Sequence, residues 1–128
     1  MFFNGVNRLL LRRRRTSPSS SVISVTEPLS VTAADSGKTY SLDGGVAVLI
    51  LPLREDFPPI WEITVQCSEA GFHVVVNSED IGQGTMFYEE TPYDGVTLAS
   101  TDAVVTISFD GAYYQAVLVS GTVKGYMD

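Results

Sequence analysis

Three acids, Glu89, Glu90 and Asp94, surround the segment Thr91-Pro92-Tyr93. Carboxylates facing each other across a cleft are the groups that cleave glycosidic bonds, one giving a proton while the other attacks or activates water. Pro92 and Gly95 mark this stretch as a loop, however, and acids on a loop are ordinarily solvated. Asp35-Ser36-Gly37 and Asp80-Ile81-Gly82 are read as turns for the same reason. His73 is the only histidine and Cys67 the only cysteine, so neither has a second imidazole or thiol with which to build a metal set or a nucleophile–base pair. No Gly-x-Ser-x-Gly elbow and no Asp-x-Asp-x-Asp-Gly calcium loop occurs. Cys67 lies in an alternating apolar run and is read as a small buried hydrophobe. The expectation is therefore no enzyme, no metal and no cofactor.

The remaining charged groups suit binding. Arg8, Arg12, Arg13, Arg14 and Arg15 precede the first acid, Glu27, and from that point the chain carries fifteen acids against three bases. A formal charge of −7 hides this division into a basic segment and an acidic body. Guanidinium groups make charge-assisted, often bidentate bonds to carboxylates, and Phe2, Phe3, Leu9, Leu10 and Leu11 supply apolar anchors beside them. Residues 1–26 are accordingly read as an anchoring arm, with a reach of about 80–90 Å at ~3.3 Å per residue. Arginine and serine without acids are also the composition of an organellar transit peptide. A secretory signal fits worse, because the three leucines precede the arginine run instead of following it. Nucleic acid is the usual partner of such an arm, but the acidic body would be repelled by a polyanion, so an electronegative protein surface is the better match.

The body must hold these groups in place. Residues 16–21, Thr-Ser-Pro-Ser-Ser-Ser, have too little apolar surface to fold alone, and residues 27–128 are assigned to one domain. Charged residues make up 18 % of the chain, below the usual quarter, while apolar ones reach 45 %. Part of the surface is therefore expected to be covered by other subunits. No apolar run approaches the roughly 18 residues needed to span a bilayer.

Period-two patterning dominates. Residues 61–67 alternate strictly between apolar and polar, and further extended runs fall at 22–25, 39–42, 72–76, 85–88, 96–98, 103–109 and 113–120. Residues 46–51 are apolar throughout, which implies a strand covered on both faces and places Val46, Val48 and Ile50 in an oligomer contact. Adjacent strand residues face opposite ways, so one of Tyr113 and Tyr114 must point outward; Tyr113 is assigned to the same contact. Asp110-Gly111 predicts a hairpin. The other aromatic side chains are read as core in preference to a sugar-stacking platform. The fold class expected is all-β, a small antiparallel β-sandwich or barrel of about eight strands with an extended N-terminal arm.

The stretch Val31-Thr32-Ala33-Ala34-Asp35-Ser36-Gly37-Lys38-Thr39-Tyr40-Ser41-Leu42, with the apolar strand closed by Leu51-Pro52, resembles a motif of small β-domains in tailed-phage structural proteins. Residues 61–67 and Ile81-Gly82-Gln83-Gly84 match its next strand and turn, so the resemblance spans residues 31–88. The loop Arg54-Glu55-Asp56-Phe57-Pro58-Pro59 departs from the glycine-bearing loop of that pattern. The resemblance implies a virion structural protein, often trimeric, of the head decoration (cement) or fibre kind; with the basic arm included, the expectation is a homotrimeric capsid decoration protein on the outer capsid surface, its arm laid along the major capsid protein, with no membrane partner. The alternative is a fibre or spike domain that binds a host receptor or glycan.

Overall fold

A computed structural model describes residues 22–53 and 61–127. Twelve strands are found there: β1 (Val22–Val25), β2 (Pro28–Ser30), β3 (Thr39–Leu42), β4 (Val48–Ile50), β5 (Trp61–Cys67), β6 (Phe72–Val75), β7 (Met86–Tyr88), β8 (Thr91–Tyr93), β9 (Gly95–Leu98), β10 (Val104–Phe109), β11 (Tyr114–Ser120) and β12 (Val123–Tyr126). They form a five-stranded sheet ordered β12-β9-β6-β4-β2 and a seven-stranded sheet ordered β1-β3-β5-β10-β11-β7-β8. The all-β class expected from the sequence is therefore what the chain adopts, as a sandwich of two sheets. Val22–Val25, which the composition boundary leaves with the arm, is hydrogen-bonded to β3 within the larger sheet.

The sheets are mixed, not purely antiparallel. Successive strands from β1 to β6 alternate between the two sheets, so that β1, β3 and β5 stack in parallel in one while β2, β4 and β6 stack in parallel in the other. Parallel neighbours need a crossover between them. Here a strand of the opposite sheet serves as that crossover, and the first half of the body winds as a flattened coil. The second half closes the sheets with antiparallel ladders, β10 against β5 and β11, and β9 against β6 and β12.

Between the sheets lies a continuous core. Trp61, Ile63, Val65 and Cys67 enter it from β5, Val105, Ile107 and Phe109 from β10, and Leu49, Val74, Val96 and Leu98 from the smaller sheet. Each is an alternate residue of its strand, which is how a period of two in sequence becomes one buried and one open face. Thr85 is fully buried, and among the described residues its hydroxyl has no hydrogen-bond partner. A buried hydroxyl without a partner costs free energy that a methyl group of the same size does not. Thr85→Val is thus expected to raise the unfolding free energy by about 1 kcal/mol, read as an increased urea midpoint at unchanged slope.

Aspartates fasten the turns. Asp43 accepts the Ser24 and Ser41 hydroxyls at 2.5 Å each, tying β1 to β3. Asp35 takes the Lys38 ammonium at 2.7 Å and the Thr32 N–H at 2.8 Å. Asp110 takes the Tyr113 and Ala112 N–H groups at 2.8 and 2.9 Å, closing a hairpin whose strands meet again at Phe109 and Tyr114. The hairpin stands where Asp110-Gly111 predicts it, with a four-residue loop because the Asp110 side chain takes the place of a ladder bond. These bonds hold all three carboxyls below their ordinary value: chiefly the Lys38 bond for Asp35, the Ser24 bond for Asp43 and the Tyr113 N–H for Asp110. A carboxyl lowered on folding stabilises the fold above its unfolded-state value and loses that contribution as pH falls through the folded-state value. The urea midpoint is therefore expected to be flat from pH 7 to 5 and to fall below about pH 4. Asp43→Asn lowers the plateau and flattens the acid limb.

Candidate interaction surfaces

The three acids around Thr91-Pro92-Tyr93 do not share a cleft. Asp94 is buried at the point where the chain leaves β8 in one sheet and enters β9 in the other. Its carboxylate accepts the Gly82 N–H at 2.8 Å, its own N–H donates to the Tyr126 carbonyl, and its carbonyl accepts the Val76 N–H. These are the contacts of a structural pin. Glu89 and Glu90 instead form the exposed turn between β7 and β8, both in the left-handed region with φ of 51° and 68°. Two successive positive φ values are those of a type I′ turn, which favours Asn-Gly. For glutamate the conformation costs on the order of 1 kcal/mol per residue. The double variant Glu89→Asn, Glu90→Gly is expected to stabilise the fold by about 1–2 kcal/mol, checked by thermal and urea unfolding.

His73 and Cys67 have structural surroundings. His73 Nδ1 lies 2.8 Å from the Thr97 hydroxyl on the neighbouring strand, and its ring lies 4.3 Å from that of Tyr126. The Cys67 thiol donates to the Ser100 carbonyl at 3.2 Å, and burial pushes it above the ordinary thiol value, which lowers its reactivity. Among the described residues no group of three or more histidine, cysteine or carboxylate side chains is placed to hold a metal ion.

The predicted oligomer contacts are distributed over the surface. Leu49 faces the core, so Val48 and Ile50 point outward and are half-buried on the outer face of the five-stranded sheet. Cross-strand register sets Val48 in a row with Pro28, His73, Thr97 and Lys124, and Ile50 in a row with Ser30, Val75, Gly95 and Tyr126. Neither row holds a carboxylate, although the body as a whole is acidic. Val46 lies in the turn before β4 and is 67 % exposed. Tyr114 is buried and Tyr113 is 40 % exposed, meeting Phe87 edge-on at 5.3 Å between ring centres. The arm residues Phe2, Phe3, Arg8, Leu9, Leu10, Leu11, Arg12, Arg13, Arg14 and Arg15 lie outside the described residues.

One apolar surface was not anticipated. Val117, Leu118 and Val119, at the far end of β11, are 58, 42 and 60 % exposed. The signal in the sequence is the loss of alternation over Ala116-Val117-Leu118-Val119, the same continuous apolar pattern that marks residues 46–51. Alternation fails there because the β10–β11 register shifts between Val104 and Val105, so that Val119 is an extra residue between the partners Leu118 and Ser120.

Comparison with protein-family models and with curated proteins gives no match.

Proposed function

We propose that this chain is a capsid decoration (cement) protein of a tailed phage, which binds the outer surface of the head through its N-terminal arm and stabilises the lattice. The carrying observation is the pairing of a five-arginine, three-leucine arm segment with an acidic β-sandwich in which Asp35, Asp43, Asp94, Asp110 and His73 serve turns and ladders. Such a body has little to offer a reaction and much to offer as a rigid head. Arg8 and arginines 12–15 would meet carboxylates of the major capsid protein, while Phe2, Phe3 and the three leucines fill apolar grooves. Val48 and Ile50, on a sheet face without carboxylates, are the proposed subunit contact of a homotrimer. A trimer carrying three arms bridges several capsid subunits, and linked sites multiply the effective affinity of each. Binding restricted to the assembled lattice stabilises it by mass action.

Removal of residues 2–21 tests this reading. Occupancy on purified capsids, followed by co-sedimentation, is expected to fall to background, and unchanged occupancy would refute the anchor. Val48→Asp with Ile50→Asp is expected to lower the mass of the free protein in light scattering from trimer to monomer. The fibre or spike reading draws on exposed Tyr113 and its half-buried neighbour Phe87, since aromatic faces stack on sugars. Specific glycan binding by the capsid-free protein, abolished by Tyr113→Ala, would favour it.

A further inference from the structure

The seven-stranded sheet leaves one ladder unfinished. β11 pairs with β7 only at Tyr114, Gln115 and Ala116, while its ladder with β10 continues to Ser120. Among the described residues, one backbone edge of residues 117–120 therefore has no strand beside it, and the exposed side chains there are Val117, Leu118 and Val119. An open strand edge bearing apolar side chains on both faces is a template for another strand, and natural proteins usually guard such an edge with charge or cover it. This one has no charge within it. Carboxylates stand instead at its two ends. Glu89 and Glu90 follow Tyr88, the partner of Ala116, and the Asp102 carbonyl accepts the Ser120 hydroxyl at 2.8 Å.

We propose that residues 9–15 of the same chain dock on this edge, adding as a strand along residues 117–120. Leu9-Leu10-Leu11 offers an apolar triplet to Val117-Leu118-Val119, and the adjoining Arg12, Arg13, Arg14 and Arg15 offer guanidinium groups to Glu89 and Glu90 at the Val117 end. Chain length and position agree. The described chain begins at Val22, and cross-strand register places Val22, Thr39, Thr64, Thr106 and Val117 in one row across the outer face of the sheet. Four strand spacings separate its ends, about 19 Å, and the seven steps from residue 15 to residue 22 can cover roughly 23 Å when extended. The crossing would run over Thr39, Thr64 and Thr106, and the segment that crosses, residues 16–21, is as free of charge as that row. Docking in this way covers the edge in the free protein, and the same leucines and arginines leave it if the arm engages a capsid. Failure of the decoration reading and failure of this one are therefore separate results.

Hydrogen exchange on the full-length chain tests the docking. The edge-facing amides of residues 117–120 are expected to exchange about tenfold more slowly in the wild type than in the triple variant Leu9→Asp, Leu10→Asp, Leu11→Asp, with exchange in β5 and β10 unchanged. The variant positions lie outside the sandwich, and an unaltered far-UV circular dichroism spectrum establishes that it stays folded. Glu89→Lys with Glu90→Lys should reduce the protection in the same amides. Equal exchange in wild type and triple variant would overturn the proposal. Protection that rises with protein concentration, over roughly 1 to 100 µM, would overturn docking within one chain in favour of exchange between copies.

Discussion

Trp61→Ala is expected to lower the unfolding free energy by about 3–5 kcal/mol, a large share of the roughly 5–15 kcal/mol that holds an ordinary domain together. Trp61 is 1 % exposed at the start of β5 and pairs across the ladder with Phe109. Its ring meets Tyr114 edge-on at 6.2 Å and 72°, and its indole N–H donates to the Thr32 carbonyl at 3.3 Å. Tyr114 in turn lies against Phe109 at 5.4 Å and donates its hydroxyl to the Pro52 carbonyl, where the chain leaves the apolar strand β4. The indole thus joins the coil of the first six strands to the antiparallel half. Alanine would leave a void among aromatic rings too rigid to refill it. Trp61→Phe keeps most of the area and loses the hydrogen bond, so its cost should be smaller, about 1–2 kcal/mol. Guanidinium unfolding of the two variants checks the order, and a loss below 1 kcal/mol for alanine would contradict the packing described.

Gly95→Ala should be comparably damaging, by about 3 kcal/mol or more, through a different cause. A Cβ at this position would lie 2.1 Å from the Val74 carbonyl oxygen and 3.0 Å from the Val75 Cα. Both are backbone atoms of β6, the strand to which β9 is paired, so relief requires opening the β6–β9 ladder. Gly125 provides the contrast. A Cβ there would meet the Tyr93 ring at 2.1 Å, and a side chain near the sheet rim can turn aside. Gly125→Ala is expected to cost no more than about 1–2 kcal/mol. Equal losses at the two positions would show that the β6–β9 ladder yields as readily as a side chain.

Nine of the twelve strands coincide with period-two or continuously apolar runs, and residues 22–25, 39–42 and 61–67 match their strands residue for residue. The three strands without such a signal, β2, β8 and β12, are all sheet edges. Their sequences explain the omission. Pro28 and Pro92 cannot donate to a ladder and so read as breakers, yet an edge tolerates them, and Gly125 interrupts β12 because Tyr93 occupies the space of its side chain. Asp94-Gly95 reads as a turn, but it is the place where the chain changes sheets. Parallel pairing was not legible either. Alternation shows which face of a strand is buried, and it is the same for parallel and antiparallel neighbours.

For the surfaces, alternation was a better guide than residue chemistry. The outward position of Val48, Ile50 and Tyr113 follows from alternation alone. The separation of Asp94 from Glu89 and Glu90 does not, because it depends on a crossing between sheets within one residue. The open edge at residues 117–120 depends on how far β7 extends beside β11, a length that no local pattern encodes.

The coiled first half also decides how the molecule responds to being pulled. Chain preceding Val22 enters at a strand that, among the described residues, is outermost and hydrogen-bonded on one side only, to β3. A load applied through that segment sideways to β1 would open its ladder one bond after another, whereas the same load along the strand axis would have to break all of them together. Resistance is therefore anisotropic. A head tethered by such a leader would yield gradually to lift and hold firm against drag, with Trp61 and its aromatic neighbours two to four strands removed from the point of attachment.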